Sequence, residues 1–463
     1  MNEGLKPGAT MSSSIVNTIN TIVGSGMLVL PFAFKTDSIV LGSVLMIVAA
    51  GSNGIGLIVQ GMSSKFIRPG SATFFSVCMI TFPSLSVLFD IAIFLQCYGV
   101  AISYVVLTGD LMPLVYSIDG WSAQQMRVSY MLLSTVITVP LCFLHKLDSL
   151  KYASVISLVA IAYLMVLIYA QFFYSWGLGF KNVPVDNLGP VSWFQPRGIK
   201  PVFKTLGIIV LAYTCPNEYA IVAELQHPSM ARISKIVYIS MGIITMLFLT
   251  VSIFGYLNFG DAIKGNIILM YGNDFYSTLG RLLLVLMVLL SFPLMFHPAR
   301  ISFNNIYFAI KTKLTSKVSE DLGEGSPLLG AVQIAQQRAT ADDEDKVDER
   351  DIELPPSRFI WMTVVLLVAA YCISVILDSF ELILSLVGAT GGVLISYVLP
   401  GFYGYRLIDT ADEKLLARFD KYGGNEESSY WLFKSKKLKW CCMSLIVWGL
   451  FSMVICVYAS LFE

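Results

Sequence analysis

Two short runs of residues inside otherwise apolar stretches carry the chemistry of this chain. The first is Gly24-Ser25-Gly26, within an apolar run from about Ser13 to Phe34. The second is Thr214-Cys215-Pro216-Asn217, within a run from about Val202 to Leu225. Glycine and proline interrupt helices. A broken helix frees N–H groups at the start of one half and carbonyls at the end of the other. In hydrocarbon such groups survive only where they line a cavity or bind something. A solute with both a carboxylate and an ammonium would find partners for each in such a place. Its carboxylate suits the N–H groups of a half-helix N-terminus, where the dipole is positive, and Gly24, Ser25 and Gly26 let the backbone come close. Its ammonium needs acceptors, and the carbonyls of Thr214 and Cys215 are released by Pro216 and Asn217. Thr21, beside the first break, and Asn217, in the second, complete the candidate substrate-binding set there. Each run also has a purely structural reading: small residues for close helix packing in the first, and a proline kink in the second.

Further polar groups lie at membrane depth. Ser103 and Tyr104 sit in a third apolar run, where they close the pocket or touch the carboxylate; a core tyrosine with a satisfied hydroxyl is the competing reading. Titratable groups at membrane depth are candidates for carrying a coupling ion or proton. Glu218 is the first choice, with Glu224, Asp90, Asp110 and His297 behind it. His297 is of a type that titrates near the pH of an acidic compartment, but its place before Pro298-Ala299-Arg300 predicts a helix end and a structural role. The 3 histidines, His145, His227 and His297, have no metal-ligand spacing. No phosphate-binding loop or catalytic triad motif occurs, so neither an enzyme nor a cofactor or metal site is expected.

The elements that position these residues follow from composition. The chain has 463 residues, 56% hydrophobic and 13% charged, with a mean hydropathy of +0.71. A soluble domain is about 25% charged, so this is an integral membrane protein. The formal net charge of +0 gives no case for nucleic acid. About eleven apolar runs are long enough to cross a bilayer as helices. They centre near Gly24, Val48, Gly99, Ile137, Ala162, Leu211, Met246, Leu289, Leu367, Leu394 and Val447. The runs are long and lack period-two alternation, which excludes barrel strands. An all-α membrane protein with two corresponding broken helices points to a secondary transporter that holds its solute between them.

Lysine and arginine placement orients the chain. With the N-terminus in the cytosol, that side holds roughly 23 of the 31 basic residues. The C-terminus, Phe462-Glu463, then lies on the far side. The 8 cysteines predict no disulfide framework, since Cys97, Cys142, Cys215, Cys372 and Cys456 fall inside apolar runs. Cys441-Cys442 beside a basic cluster reads as membrane-embedded thiols or a palmitoylation site. No cleavable leader and no glycosylation sequon are expected.

The chain divides into a cytosolic tail (1–12), spans one to eight (13–310), an acidic cytosolic loop (311–356) and spans nine to eleven (357–463). Ser63 to Thr81 is expected along the cytosolic interface. Tyr174 to Lys200 is expected as an ordered cap on the far side. The acidic loop, with Ala341-Asp342-Asp343-Glu344-Asp345 and few aromatics, has a disordered composition. It contains Glu324-Gly325-Ser326-Pro327-Leu328-Leu329. Glu324, Leu328 and Leu329 resemble the acidic dileucine signal that adaptor complexes read when sorting cargo to lysosomes and vacuoles; ordinary linker is the alternative.

The sequence resembles the amino acid/auxin permease family, and within it the fungal vacuolar amino-acid transporters without a long hydrophilic N-terminal domain. The residues that carry this are Ile22-Val23-Gly24-Ser25-Gly26-Met27-Leu28-Val29-Leu30-Pro31-Phe32-Ala33-Phe34, the third run through Gly109-Asp110-Leu111-Met112-Pro113, Lys146-Leu147-Asp148-Ser149-Leu150-Lys151-Tyr152-Ala153-Ser154, Ser291-Phe292-Pro293 with His297-Pro298, and Gly388-Ala389-Thr390-Gly391. The resemblance implies a LeuT-like fold: two inverted five-helix repeats with an eleventh helix appended. Sodium-coupled relatives use Asn and Ser/Thr residues placed like Asn20 and Ser291 for a cation. Vacuolar members are proton-driven, so Asn20 and Ser291 are expected here as polar neighbours of the coupling site. The implied function is alternating-access movement of neutral, glutamine-like amino acids from vacuolar lumen to cytosol with protons. An amino-acid sensing receptor of the same fold and a plasma-membrane importer remain alternatives.

Overall fold

The computed structural model describes residues 9–144, 151–180, 183–184, 187–322, 355–377, 379–423 and 433–461, without the side chains of residues 25, 151–154 and 312–322. The dileucine residues Glu324, Leu328 and Leu329, and the acidic run after them, lie outside the described residues.

The first span is broken into α1 (Met11–Ile22), a tight turn (Ser25–Leu28) and α2 (Leu30–Asp37). Then come α3 (Ile39–Ser63), the short α4 (Phe74–Thr81), α5 (Ser86–Val115), α6 (Ala123–Cys142) and α7 (Lys151–Gly177). The sixth span is broken into α8 (Ile199–Tyr213) and α9 (Glu218–Glu224). It is followed by α10 (Met230–Phe259), α11 (Phe275–Leu322) and α12 (Pro356–Ile376). The tenth span combines α13 (Phe380–Val387), π-helical turns at Gly388–Gly392 and Leu394–Val398, and α14 (Leu399–Leu407). The surface helix α15 (Glu413–Tyr422) and the last span α16 (Lys436–Leu461) close the chain.

Among the described residues nine helices are long and apolar enough to cross a membrane, and the first pair, bent by 54°, makes a tenth. The eleventh expected span is α6. It falls short on composition because Gln124, Gln125, Arg127, Ser129, Ser134, Thr135 and Thr138 dilute its apolar residues. The helices start where side chains replace missing backbone partners: Thr10 accepts from Ser13 N–H at 3.3 Å, and Ser122 and Gln125 form a reciprocal cap on α6.

Two helix groups form. The broken first and sixth spans pack with α3 and α10; α5, α6, α11 and α12 pack with one another. The second group is stitched by three buried arginines, each donating to the end of a neighbouring helix, where the dipole is negative. Arg127 pairs with Asp110 at 2.8 Å and reaches Leu377 O at 2.9 Å. Arg281 is fully buried and holds Tyr271 O at 2.5 Å, Asn273 Oδ1 at 2.7 Å and Leu114 O at 3.3 Å. Arg300 holds Cys142 O at 3.0 Å and Thr363 Oγ1 at 2.9 Å, with its guanidinium 3.9 Å from the Phe359 ring centre. Asp110 and Asp90 are therefore spent on helix contacts, since Asp90 accepts from Asn305 Nδ2 at 3.0 Å.

Two expectations need correction. No helix ends at His297: α11 runs on through Pro298 to Leu322. Proline inside a membrane-spanning helix is tolerated because neighbouring groups re-satisfy the freed backbone. The segment Ser63 to Thr81 does not simply lie along the surface. Phe74, Val77 and Cys78 of α4 are buried, and Tyr403 donates to Phe74 O at 2.8 Å. The cap expected over Tyr174 to Lys200 is tied down where it is described: Ile39 N–H donates to Ser192 O at 3.1 Å, Arg197 N–H to Thr36 O at 2.8 Å, and Arg197 pairs with Asp261 at 2.6 Å.

The tenth span meets α8 backbone to backbone. A Cβ on Gly388 would stand 1.9 Å from Gly207 O, and one on Gly207 would stand 2.5 Å from Ser385 O. Gly388→Ala is therefore expected to cost about 1–3 kcal/mol or more through overpacking, read as a lower melting temperature of the detergent-purified protein. Gly51→Ala, where nothing lies within 4 Å, serves as the control. Equal melting of the two variants would contradict this packing.

Candidate substrate site at the two helix breaks

The first break opens at Val23 (φ −76°, ψ 91°) and Gly24 (φ −126°, ψ −157°), both extended. The chain then turns tightly, with Met27 N–H donating to Gly24 O and Val29 N–H to Gly26 O, each at 3.2 Å. Helix starts leave leading N–H groups without an intrahelical partner, and the turn begins at Ser25 beside the break. The second break begins where α8 stops at Tyr213. Thr214 is extended (φ −68°, ψ 128°), and α9 restarts at Glu218.

The two breaks abut. A Cβ on Gly26 would lie 3.5 Å from Cα and 3.7 Å from Cβ of Ala212, next to the end of α8. A Cβ on Gly24 meets nothing within 4 Å, so the space beside the first break is open. On the other side of the second break stands the π-helical part of the tenth span. Ser396 Oγ donates to Thr214 Oγ1 at 3.1 Å, and Thr214 donates in turn to Val210 O at 2.9 Å. The Cβ position of Gly392 lies 3.3 Å from Thr214 Oγ1 and 3.5 Å from Gln96 Oε1. Gln96 is buried on α5, and its Oε1 has no hydrogen-bond partner among the described residues.

Gln96 and Ser396 were not singled out from the sequence. Both carried a usable signal: an amide in the middle of an apolar span, and a polar residue shortly after Gly388-Ala389-Thr390-Gly391. Widened helical turns such as those flanking Ser396 recur at functional positions.

The other expected residues divide. Gly24, Gly26, Thr214, Cys215 and Asn217 all lie at the breaks, and Cys215 is buried. Ser25 lies in the turn; its side chain is not among those described. Glu218 is the first residue of α9, 2% exposed, with Oε2 unpartnered. Asn20 Oδ1, on α1, is likewise buried with no hydrogen-bond partner among the described residues. Thr21 donates to Asn17 O of its own helix at 2.8 Å. Ser291 Oγ meets Ser157 Oγ of α7 at 3.5 Å. Ser103 lies two turns from Gln96 on the same face of α5, but its hydroxyl donates to Val100 O at 2.7 Å. Tyr104 is buried beside it.

The sequence around the breaks is neutral. No charged residue occurs over 11–34, 91–109, 205–217 or 282–296, so Glu218 is the charge that stands at the junction. Among the described residues no His, Cys, Asp and Glu side chains group as metal ligands.

Comparison with known proteins fits this geometry. The crystal structure of MhsT in complex with L-phenylalanine superposes with a TM-score of 0.54 at 12% identity, covering 99% of this chain and 100% of that one. The likeness gives the fold: the broken first and sixth spans are equivalent members of two inverted five-helix repeats. Vacuolar amino acid transporter 7 of Saccharomyces cerevisiae is 33% identical over 97% of each chain. Vacuolar amino acid transporter 6 of the same yeast is 33% identical over 98% of this chain and 99% of its own. Residues 7–462 match the family described as transmembrane amino acid transporter protein, and the chain belongs to that family.

Proposed function

We propose that this protein moves neutral, glutamine-like amino acids from the vacuolar lumen to the cytosol together with protons. The observation that carries the reading is the junction itself: two abutting helix breaks, open space at Gly24, and one buried carboxyl, Glu218, at the start of α9. The N–H groups at Gly24, Ser25 and Gly26 hold the substrate carboxylate at the positive end of a half-helix. The carbonyls at Thr214 and Cys215, with Gln96 Oε1, accept from its ammonium. The stretches 11–34, 91–109, 205–217 and 282–296 carry no charged residue to select a charged side chain, which favours neutral substrates. The pocket empties when the group holding both breaks rocks against the arginine-stitched group. The similarity to yeast vacuolar transporters supports the vacuolar membrane. The Lys and Arg bias supports a cytosolic N-terminus and a lumenal C-terminus, and Glu324, Leu328 and Leu329 serve as the adaptor-binding signal that delivers the protein there.

The test is transport by purified protein in acid-loaded vesicles. Release of glutamine that quickens with the pH gradient and ignores sodium is the expected result. Release that requires sodium and ignores the gradient would overturn the proton reading, and charged amino acids moving better than neutral ones would overturn the specificity.

A further inference from the structure

A second buried carboxyl, away from the breaks, has no role in the site described above. Asp37 ends α2 and is fully buried. Its Oδ1 accepts from Thr205 Oγ1 at 2.7 Å and from Thr36 Oγ1 at 2.9 Å. Its Oδ2 has no hydrogen-bond partner among the described residues, and neither has the buried Oγ of the next residue, Ser38. Ser38 holds a positive φ of 70°, an uncommon conformation for a residue with a Cβ. Two polar atoms are thus left open side by side in sequence, at a turn held in place by its surroundings.

The charges around Asp37 do not pair with it. Toward the cap, Arg197 pairs with Asp261 at 2.6 Å, and Lys35 donates to Ile263 O at 3.1 Å. On α10, Tyr256 donates to Asp261 at 2.8 Å. α8 presents Thr205, with Lys204 and Lys200 as its nearest charged residues in sequence, and α3 presents Gly42, whose Cβ position lies 3.5 Å from Asp37 Cβ. A carboxylate without a cation at such depth is expensive, and intramembrane carboxyls mark ion and proton pathways.

Two placements give this carboxyl something to do. Asp37 and Thr205 belong to the two broken helices, so their hydrogen bond ties the two broken spans together. Thr205 lies about 12 Å along α8 from Tyr213 at the break. Asp37 also sits directly under the cap: Arg197 N–H binds Thr36 O, while Ile39 and Val40 N–H bind Ser192 O and Trp193 O, each at 3.1 Å for the latter two. The cap's hydrogen bonds therefore flank Asp37 on both sides in sequence, at Thr36 and at Ile39.

We propose that Asp37 is a proton-binding site of the transport cycle, loaded at Oδ2 from the cap-side compartment and emptied when the group holding both breaks rocks to its other position. One O–H bond forms on loading and breaks on release; no other covalent change is needed. The inference rests on the proton-coupled reading given above, and the experiment separates the two. Wild type and Asp37→Asn are compared in vesicles for accumulation driven by a pH gradient and for glutamine-for-glutamine exchange at equal pH. Asparagine keeps the shape and the accepted hydrogen bonds but cannot carry a proton. Gradient-driven accumulation is expected to fall about tenfold or more, while exchange persists and loses its dependence on cap-side pH. Accumulation by Asp37→Asn at the wild-type level would overturn the proposal. Absence of gradient-driven accumulation in the wild type itself would overturn the proton reading first. If Asp37→Asn does not give a monodisperse protein, Thr205→Val decides. It keeps the carboxyl but removes a hydrogen bond donated to its charged form. The pH of half-maximal accumulation is then expected to rise by about one unit, and an unchanged profile would overturn the proposal.

Discussion

Replacing Gly24 by leucine is expected to abolish transport while leaving the fold intact. Gly24 is extended at φ −126° and ψ −157°, which any residue adopts without strain. A Cβ there touches nothing within 4 Å. A leucine side chain therefore enters open space instead of a packed interior, and in the proposed reading that space holds the substrate carboxylate. Displacing a bound group by even an ångström costs about 100-fold in rate, and filling its place costs at least that. Gly24→Ala adds only one methyl and is expected to weaken uptake far less. Gly26→Leu is the contrasting case, because its side chain drives into Ala212 and separates the two breaks, so it lowers the melting temperature as well. Glutamine uptake and thermal unfolding, measured on the same preparations, separate these outcomes. A Gly24→Leu protein that transports at the wild-type rate would show that substrate does not pass this point.

The breaks were legible because they are local. Gly24-Ser25-Gly26 and Thr214-Cys215-Pro216-Asn217 use the residues that interrupt any helix, and the surrounding runs are apolar enough for nothing but membrane helices. The partners of the breaks were not legible, because distance along the chain hides them. Gln96 reaches the second break only because the tenth span passes over α5, with the Cβ position of Gly391 2.6 Å from Gln96 N. Glycines at 388, 391 and 392 read as small residues; that they allow backbone contact with α8 and α5 is a property of the crossing. Asp110 looked like a proton carrier until Arg127 was placed against it at 2.8 Å. His297 looked like a helix end because proline usually is one, a rule drawn from soluble proteins that weakens where α11 crosses the membrane. Asp37 drew no notice at all, since a charged residue at the end of an apolar run reads as a boundary. Its burial depends on Thr205 and on the cap folding over it.

Glu218→Gln is expected to uncouple transport from the pH gradient. Glu218 opens α9, so the positive end of a short helix favours its charge, and its Oε2 has no hydrogen-bond partner among the described residues. Its neighbour offers none: Tyr219 Oη lies 2.8 Å from Ser63 Oγ and is engaged there. With Oε2 unpartnered and 2% exposure, the carboxylate needs a cation or a proton in every state that lacks bulk water. The substrate ammonium and a proton are the two candidates, and glutamine at this position tells them apart. If a proton is carried, the neutral amide imitates the loaded form. Exchange of glutamine at equal pH then continues, and gradient-driven accumulation falls about tenfold or more because the side chain no longer changes charge. If Glu218 instead holds the ammonium, exchange and accumulation fall together and glutamine binding weakens by about 10- to 100-fold, the usual loss for one charge-assisted contact. The first pattern is expected, because the proposed function assigns the ammonium to the carbonyls of Thr214 and Cys215. The second would move the proton's passage to Asp37 alone and make Glu218 part of the substrate pocket.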